Sequence, residues 1–190
     1  MTFDLPIQQS RVVAQTEAPA PGHDPALVVA AQRGDRQAFG LLYERYGAMV
    51  HGVLLARVPI DAVDDLVQDV FLSAFQHLGS LRQPEAFGGW LAAIARRRAV
   101  DHYRQTRVTV DATDLPAVDH APRAEALEVL AVIRSLPDTY RETLMLRLVE
   151  GMTGREIADR TGLTPASVRV NLHRGMKQLR ERLGETQERA

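Results

Sequence analysis

The sequence predicts an all-α protein of two small helical domains joined by a flexible acidic linker, with a helix-turn-helix in the second domain. Three observations predict this fold. Apolar residues recur at helical spacing over most of the chain, and no stretch alternates polar and apolar residues for long enough to require a strand. Residues 108–122 carry three aspartates, no lysine or arginine and no apolar face, which is typical of a linker. A glycine-containing turn separates two short helical patterns near the C-terminus.

Length and composition exclude several classes of protein. A chain of 190 residues suffices for one ordinary domain or two small ones. It has no cysteine, which excludes disulfides, thiolate metal sites and cysteine nucleophiles. No apolar stretch approaches the roughly 18 residues of a membrane span, and the N-terminus lacks a signal-peptide pattern. We therefore expect a cytoplasmic protein without membrane insertion.

The first predicted domain is residues 25–107, which hold eight of the ten aromatic residues and therefore the larger core. Residues 1–24 contain three prolines and no sustained periodicity, which is typical of a flexible tail. Capping residues, proline and glycine divide the domain into four helices. These are predicted from Asp24 to Gly34, from Asp35 to Pro59, from Asp61 to Gly79 and from about Glu85 to Gln105.

The second predicted domain is residues 123–190, beyond the linker. Apolar residues on one face predict a helix that ends near Leu136, and Pro137 starts another that ends at Gly151. Thr153 and Glu156 then form a capping box, the signature of a helix start. Gly162 ends that helix in a tight turn, and Thr164-Pro165 opens the last one. Two short helices joined in this way are typical of the DNA-binding helix-turn-helix.

The last helix is two-sided. In a projection at about 100° per residue from Val168, its apolar residues share the inner side, while the outer side is small near its start and basic further along. Such a face suits a helix in the major groove. An ordinary hairpin with a solvated basic face is the alternative, but the capping box and the glycine turn favour DNA binding. The candidate duplex-contacting residues are Arg155, Ser167, Arg169, Val170, Asn171, His173, Arg174 and Lys177.

A second concentration of positive charge lies in residues 96–107, which hold five arginines against one aspartate although the whole chain has a net charge of −1. Aromatic residues stand beside it, and single-stranded DNA binds such surfaces because base stacking contributes roughly 1–3 kcal/mol per base. A solvated arginine stripe and a core tryptophan are the alternatives. The candidate single-strand-contacting residues are Phe87, Trp90, Arg96, Arg97, Arg104 and Arg107.

Three segments, in this order, resemble the bacterial RNA polymerase sigma factors. Residues 64–75, DDLVQDVFLSAF, are similar to the helix that binds core polymerase. Residues 87–104, FGGWLAAIARRRAVDHYR, resemble the segment that engages the −10 promoter element. Residues 136–142, LPDTYRE, and then residues 151–183 resemble the domain that reads the −35 element. The short length points to the extracytoplasmic-function (ECF) group of that family.

The resemblance implies an alternative sigma factor. It would bind the β and β′ subunits of core RNA polymerase, recognise the −10 and −35 elements of promoter DNA, and promote initiation by capturing the melted non-template strand. It also implies an anti-sigma factor as a partner and association with the nucleoid when active. Polymerase binding would fall to Asp64, Asp65, Gln68 and Asp69; acidic residues that face solvent at a helix N-terminus are the alternative.

The chain departs from the family pattern in both DNA-binding segments. Arg97 and Arg98 replace a usual asparagine and an apolar residue, and Val170, Asn171 and Met176 replace a common serine and two arginines. The resemblance therefore does not carry over a promoter sequence.

Two rival functions account for less of the sequence. A stand-alone helix-turn-helix regulator would use residues 137–183 but leaves the acidic helix and the first arginine cluster unexplained. An enzyme is disfavoured because the six histidines are scattered, with neither a His-Glu-x-x-His pair nor a glycine-rich phosphate loop. We expect no catalytic residue, metal or cofactor.

Overall fold

The computed structural model describes the backbone of residues 24–109 and 121–187, and the side chains of residues 24–105 and 126–184. All regular structure in these ranges is helical, which confirms the predicted all-α fold. Residues 1–23 of the predicted tail and residues 110–120 of the predicted linker lie outside them. Asp24 begins α1, and residues 108–109 and 121–122, which were predicted as linker, belong to α4 and α5. The α-helices are α1 (Asp24–Gln32), α2 (Arg36–Leu55), α3 (Val63–His77), α4 (Phe87–Thr109), α5 (Ala121–Ser135), α6 (Asp138–Leu148), α7 (Gly154–Thr161) and α8 (Pro165–Gln187).

In the first domain, α2 packs against α1, α3 and α4. The side chain of Asp35 starts α2, as predicted, by accepting hydrogen bonds from the amides of Gln37 (2.9 Å) and Ala38 (3.1 Å). Single turns of 3-10 helix lead into α3 and α4 and follow α3. The buried face of α2 carries Leu42, Tyr46, Met49, Val50, Val53 and Leu54.

Two aromatic residues of α2 and α3 are half exposed. Tyr43 is 43% and Phe75 is 47% exposed. Tyr43 lies against the ring of Phe71, with 4.4 Å between centroids, and Phe75 lies edge-on to Phe39 at 5.0 Å. Tyr43 and Phe75 thus each pack one side of the ring on a neighbouring aromatic side chain and expose the other side to solvent.

The helix-turn-helix forms as predicted. Thr153 and Glu156 make the reciprocal hydrogen bonds of the capping box, which lower the pKa of the Glu156 carboxyl. Gly162 ends α7 with φ of +76°, a conformation that favours glycine. The inner face of α8 matches the helical projection: Val168, Gly175 and Leu179 are buried, and Leu172, Met176 and Leu183 are partly buried.

The two domains pack directly on each other, which the sequence analysis did not predict. The contact joins α2 and α4 to α6 and α7. Glycines allow the close approach, because a Cβ at Gly52 would lie 2.7 Å from Cδ2 of Leu146, and one at Gly88 would lie 2.4 Å from the carbonyl oxygen of Arg160. We call this arrangement the closed form.

Polar contacts add to the closed form. Arg134 on α5 donates hydrogen bonds to the carbonyls of Leu55 (3.0 Å) and Val58 (2.9 Å). The carbonyl of Leu55 is the last of α2, where a helix leaves acceptors without intrahelical partners, and that of Val58 lies three residues further on. The other domain therefore completes the end of α2.

We predict that Gly88→Ala opens the closed form. The added methyl group would meet the backbone of Arg160, and overpacking of this kind costs about 1–3 kcal/mol. Small-angle X-ray scattering should show a larger radius of gyration than for the wild type. Gly47→Ala is the matched control, because its Cβ would meet nothing within 4 Å; equal radii for the two variants would contradict the prediction.

We also predict that the closed form loses stability as the pH rises. Nδ1 of His51 on α2 lies 2.6 Å from Oε1 of Glu150, beyond α6. The hydrogen bond to Glu150 raises the pKa of His51 above its ordinary 6.5; burial opposes this, and the charges of Glu150 and Asp64 add to it. A raised pKa stabilises the folded state fully below the ordinary value and loses that effect as the pH passes the raised value.

The measurement is thermal unfolding between about pH 6 and about pH 9, a range that spans histidine titration. The advantage of the wild type over His51→Gln in melting temperature should shrink with rising pH. His77→Gln, at an exposed histidine that ends α3, should keep the wild-type pH dependence. A constant difference between the wild type and His51→Gln would argue against a role of this ion pair.

Candidate functional site

The predicted polymerase-binding residues lie on one exposed side of α3. Asp64 and Asp65 occupy its first turn, where the partial positive charge of the helix N-terminus stabilises carboxylates. Gln68 and Asp69 follow one turn later, also exposed, while the opposite side of the helix is buried. The geometry agrees with a docking surface and with solvated N-terminal acids alike, so the role of these residues stays a prediction.

The same side of α3 continues into apolar surface that the sequence analysis did not single out as a binding surface. Leu72 is 56% exposed and Phe75 is 47% exposed. They follow Gln68 at i+4 and i+7, the spacing that stacks side chains along one face. We call Asp64, Asp65, Gln68, Asp69, Leu72 and Phe75 the α3 surface.

The aromatic candidates at the start of α4 differ in exposure. Phe87 is only 1% exposed and lies edge-on to Tyr46, with 5.0 Å between ring centroids. It is a core side chain, so stacking of a base on it is not available in the closed form. Trp90 lies 5.9 Å from Phe87 and is half-buried, which leaves part of its indole at the surface.

The candidate arginines of α4 also differ in their exposure and contacts. Arg97 and Arg104 are exposed, and Nε of Arg97 lies 3.9 Å from Oδ2 of Asp101, one helical turn further on. An exposed pair of this kind contributes about 0–1 kcal/mol and leaves the cation available to another anion. The side chain of Arg107 lies outside the described residues. Arg96 instead contacts the second domain.

Arg96 binds the carboxylate of Glu142 on α6 with both ends of its guanidinium. Its Nε lies 3.0 Å from Oε2 and its Nη2 lies 2.7 Å from Oε1. Arg57, which follows α2, places its Nη2 2.7 Å from Oε2 of the same carboxylate. Glu142 is 6% exposed. Burial raises its pKa, but the hydrogen bonds and charges of Arg96 and Arg57 outweigh burial, so the net pKa is lowered and the carboxylate stays ionised.

Arg57 and Glu142 were not predicted from the sequence as site residues. Each is one charged residue in a segment of mixed polarity, and nothing in the spacing of either segment indicates that the two segments meet. Only the packing of α2 on α6 brings them together.

The predicted duplex-contacting residues lie on the outer face of the helix-turn-helix, with one exception. Arg155, Ser167, Arg169, Val170, His173, Arg174 and Lys177 are exposed. Arg155 and Lys177 lie 3.8 and 3.9 Å from Asp159 and Glu181, exposed pairs that leave both cations accessible. The hydroxyl of Ser167 lies 2.8 Å from that of Thr164 and helps to start α8.

Asn171 is the exception. It was predicted beside the outer face of α8, but it is 7% exposed, so the predicted exposure is wrong for the closed form. Asn171 lines a cavity of about 190 Å³ between the domains, together with Arg57, Arg96 and Glu142. Within its own domain α8 packs on α5, α6 and α7, and Thr139 and Thr143 of α6 line the same cavity beside Asn171. Its predicted contact with DNA stays a prediction.

The described residues hold no group of three or more histidine, aspartate or glutamate side chains arranged to bind a metal ion. Across the same residues, none of the helices combines the length and the apolar character needed to cross a membrane.

Two family models match the chain. The model of sigma-70 region 2 matches residues 42–109, from α2 to the end of α4. The model of sigma-70 region 4 matches residues 126–179, from α5 into α8. Between them, the two matches take in all of the candidate residues in α3, α4, α7 and α8, and also both arginines that bind Glu142.

Individual relatives agree with the family models. The chain is 34% identical over 162 residues to the RNA polymerase sigma factor CarQ of Myxococcus xanthus, an alignment of 80% of this chain and 92% of CarQ. It is 30% identical over 166 residues to the ECF RNA polymerase sigma factor BldN of Streptomyces coelicolor, which covers 80% of this chain but only 63% of BldN.

A solved structure of CnrH in complex with the cytosolic domain of CnrY superimposes with a TM-score of 0.61 at 28% identity, covering 85% of this chain and 97% of that one. CarQ and BldN are both RNA polymerase sigma factors, and both family models are those of sigma-70 regions. The chain therefore belongs to the sigma-70 family of RNA polymerase sigma factors, in its ECF group.

Proposed function

We propose that this protein is an alternative sigma factor that directs core RNA polymerase to promoters with its own −10 and −35 elements. The observation that carries the proposal is the presence in one chain of three exposed surfaces of suitable charge, inside the matched regions. These are the acidic and apolar α3 surface, the arginines of α4 and the basic outer face of α8.

The α3 surface is the proposed contact with polymerase. Its carboxylates suit a basic partner, and Leu72 and Phe75 add apolar area that a partner can bury. Buried apolar area contributes roughly 25 cal/mol per Å², whereas the exposed charges mainly steer the encounter. The β and β′ subunits are the proposed partners.

The two basic surfaces are the proposed contacts with promoter DNA. The outer face of α8 would lie in the major groove of the −35 element, with Arg174 and Lys177 on phosphates. Trp90 and the arginines of α4 would hold the melted non-template strand of the −10 element, because stacking and phosphate contacts together capture single strands. Capture of this kind promotes initiation without ATP, since it stabilises the melted state.

An anti-sigma factor is the proposed inhibitory partner. CnrH, which shares this fold, was solved in complex with the cytosolic domain of CnrY. We place the active protein in the cytoplasm, associated with the nucleoid.

Run-off transcription with purified core polymerase tests the proposal. Genomic promoter fragments should yield specific transcripts only when this chain is added. Asp65→Lys reverses a charge on the α3 surface and should weaken polymerase binding at least tenfold, equivalent to about 1.4 kcal/mol. Glu128→Lys changes the charge equally at an exposed residue of α5 and should bind normally. Transcripts without the chain, or normal polymerase binding by Asp65→Lys, would contradict the proposal.

The −35 contact has its own test. Arg174→Ala removes an exposed cation from the outer face of α8 and should reduce occupancy of duplex promoter DNA by the holoenzyme. Loss of one phosphate contact should lower the slope of log affinity against log salt by about 0.9. Arg33→Ala, at an exposed arginine that follows α1, is the charge-matched control. An unchanged slope for Arg174→Ala would remove this residue from the interface.

A further inference from the structure

We propose that Arg57 and Arg96 together form a binding site for a backbone phosphate of melted promoter DNA, and that Glu142 occupies this site in the closed form. The inference rests on the proposed function and adds to it a residue, Arg57, and a means by which the second domain competes with DNA.

The geometry of the three side chains carries the first step. The guanidinium groups of Arg57, in the turn after α2, and Arg96, on α4, meet at one oxygen, Oε2 of Glu142, at 2.7 and 3.0 Å. Arg96 also reaches the second oxygen at 2.7 Å. A carboxylate and a phosphodiester each offer two anionic oxygens to the planar fork of arginine. The carboxylate of Glu142 thus stands where two phosphate oxygens would lie.

Both arginines belong to the first domain and stay together when the second domain leaves. Arg57 is tied to α2 by a hydrogen bond from its Nη1 to the carbonyl of Val53 at 3.0 Å. Arg96 lies on α4, which packs on α2. Without Glu142, two like charges would remain close together, an unfavourable arrangement that an incoming anion relieves. Replacement of the Glu142 carboxylate by another anion is therefore more favourable than separation of the domains that leaves the two arginines without an anion.

Candidate DNA contacts of both domains lie at the domain contact. Asn171 of α8 and Arg96 of α4 line the same cavity of about 190 Å³. Gly88 and Gly89 at the start of α4 face Arg160 and Gly162 of the helix-turn-helix. DNA that binds only the open form must shift the equilibrium toward it, and stronger closure must weaken DNA binding by the same factor.

The first experiment measures binding of the full chain to fluorescein-labelled single-stranded DNA of mixed sequence over a range of salt concentrations. Glu142→Gln keeps the shape of the side chain but removes its charge, so it should bind severalfold more tightly than the wild type. Glu128→Gln makes the same change of charge at an exposed site and should bind like the wild type. Equal affinities for Glu142→Gln and the wild type would overturn the competition.

The role of Arg57 is measured in the Glu142→Gln background, where the site is not held by a carboxylate. Adding Arg57→Gln should weaken binding and lower the slope of log affinity against log salt by about 0.7, the value for one phosphate of a single strand. Adding Arg33→Gln should leave the slope unchanged. A purely structural role for Arg57 would change stability but not the slope, so an unchanged slope overturns the phosphate site.

A second experiment does not depend on how Glu142→Gln folds. A Cβ at Gly88 would lie 2.4 Å from the carbonyl oxygen of Arg160, so Gly88→Ala opens the closed form without changing any charge. This variant should bind the single strand more tightly than the wild type. Gly47→Ala, whose Cβ would meet nothing within 4 Å, should bind like the wild type. Equal binding by Gly88→Ala and the wild type would overturn the competition.

Run-off transcription separates this inference from the proposed function. If transcripts require the chain but Arg57→Gln leaves the salt slope unchanged, the phosphate site is wrong and the proposed function stands. If the slope falls as expected but no transcript forms with core polymerase, the phosphate site holds and the proposed function fails.

Discussion

The structure depends on one buried carboxylate that is neutralised from the opposite domain. Glu142 lies on α6, yet both of its guanidinium partners belong to the first domain. A charge buried in this way stays ionised only while its partners remain, and loss of one partner costs about 3–5 kcal/mol. Separation of the two domains would therefore change the pKa of Glu142, and loss of its charge would weaken the domain contact. The surrounding glycines and the Arg134 hydrogen bonds bring the helices close enough for the carboxylate to be enclosed.

The contact of Glu142 with Arg96 connects the proposed single-strand-binding surface of the first domain with the helix-turn-helix domain, which are far apart in the sequence. In the first domain, Arg96 is one of several cations on α4; in the second, α6 supports the helix-turn-helix. When α4 and α6 are brought together, Glu142, which holds the two domains in contact, lies next to the arginines of α4 that are proposed to bind DNA. The partly buried His51–Glu150 pair adds a second ionic contact between the domains. Because Glu150 raises the pKa of His51, the stability that this pair contributes decreases as the pH rises.

Features that depend on residues close together in the sequence were predicted correctly, whereas contacts between distant residues were not. Capping at Asp35 and Thr153, the glycine turn at Gly162 and the inner face of α8 follow from short-range rules of spacing and hydrogen bonding, and all of them form. The exposure of Asn171 was predicted wrongly because a helical projection sees only one helix. Arg57 and Glu142 could not be paired, since they are 85 positions apart and no local pattern signals their contact.

The glycines at the domain contact carry a consequence for comparison across the family. A side chain at position 52 or 88 would enter space that Leu146 or the backbone of Arg160 already fills. Members with larger residues at both positions cannot dock their halves in this way, whatever their charges. The residues at these two positions therefore indicate, from the sequence of a relative alone, whether its two domains can pack against each other as they do in this chain.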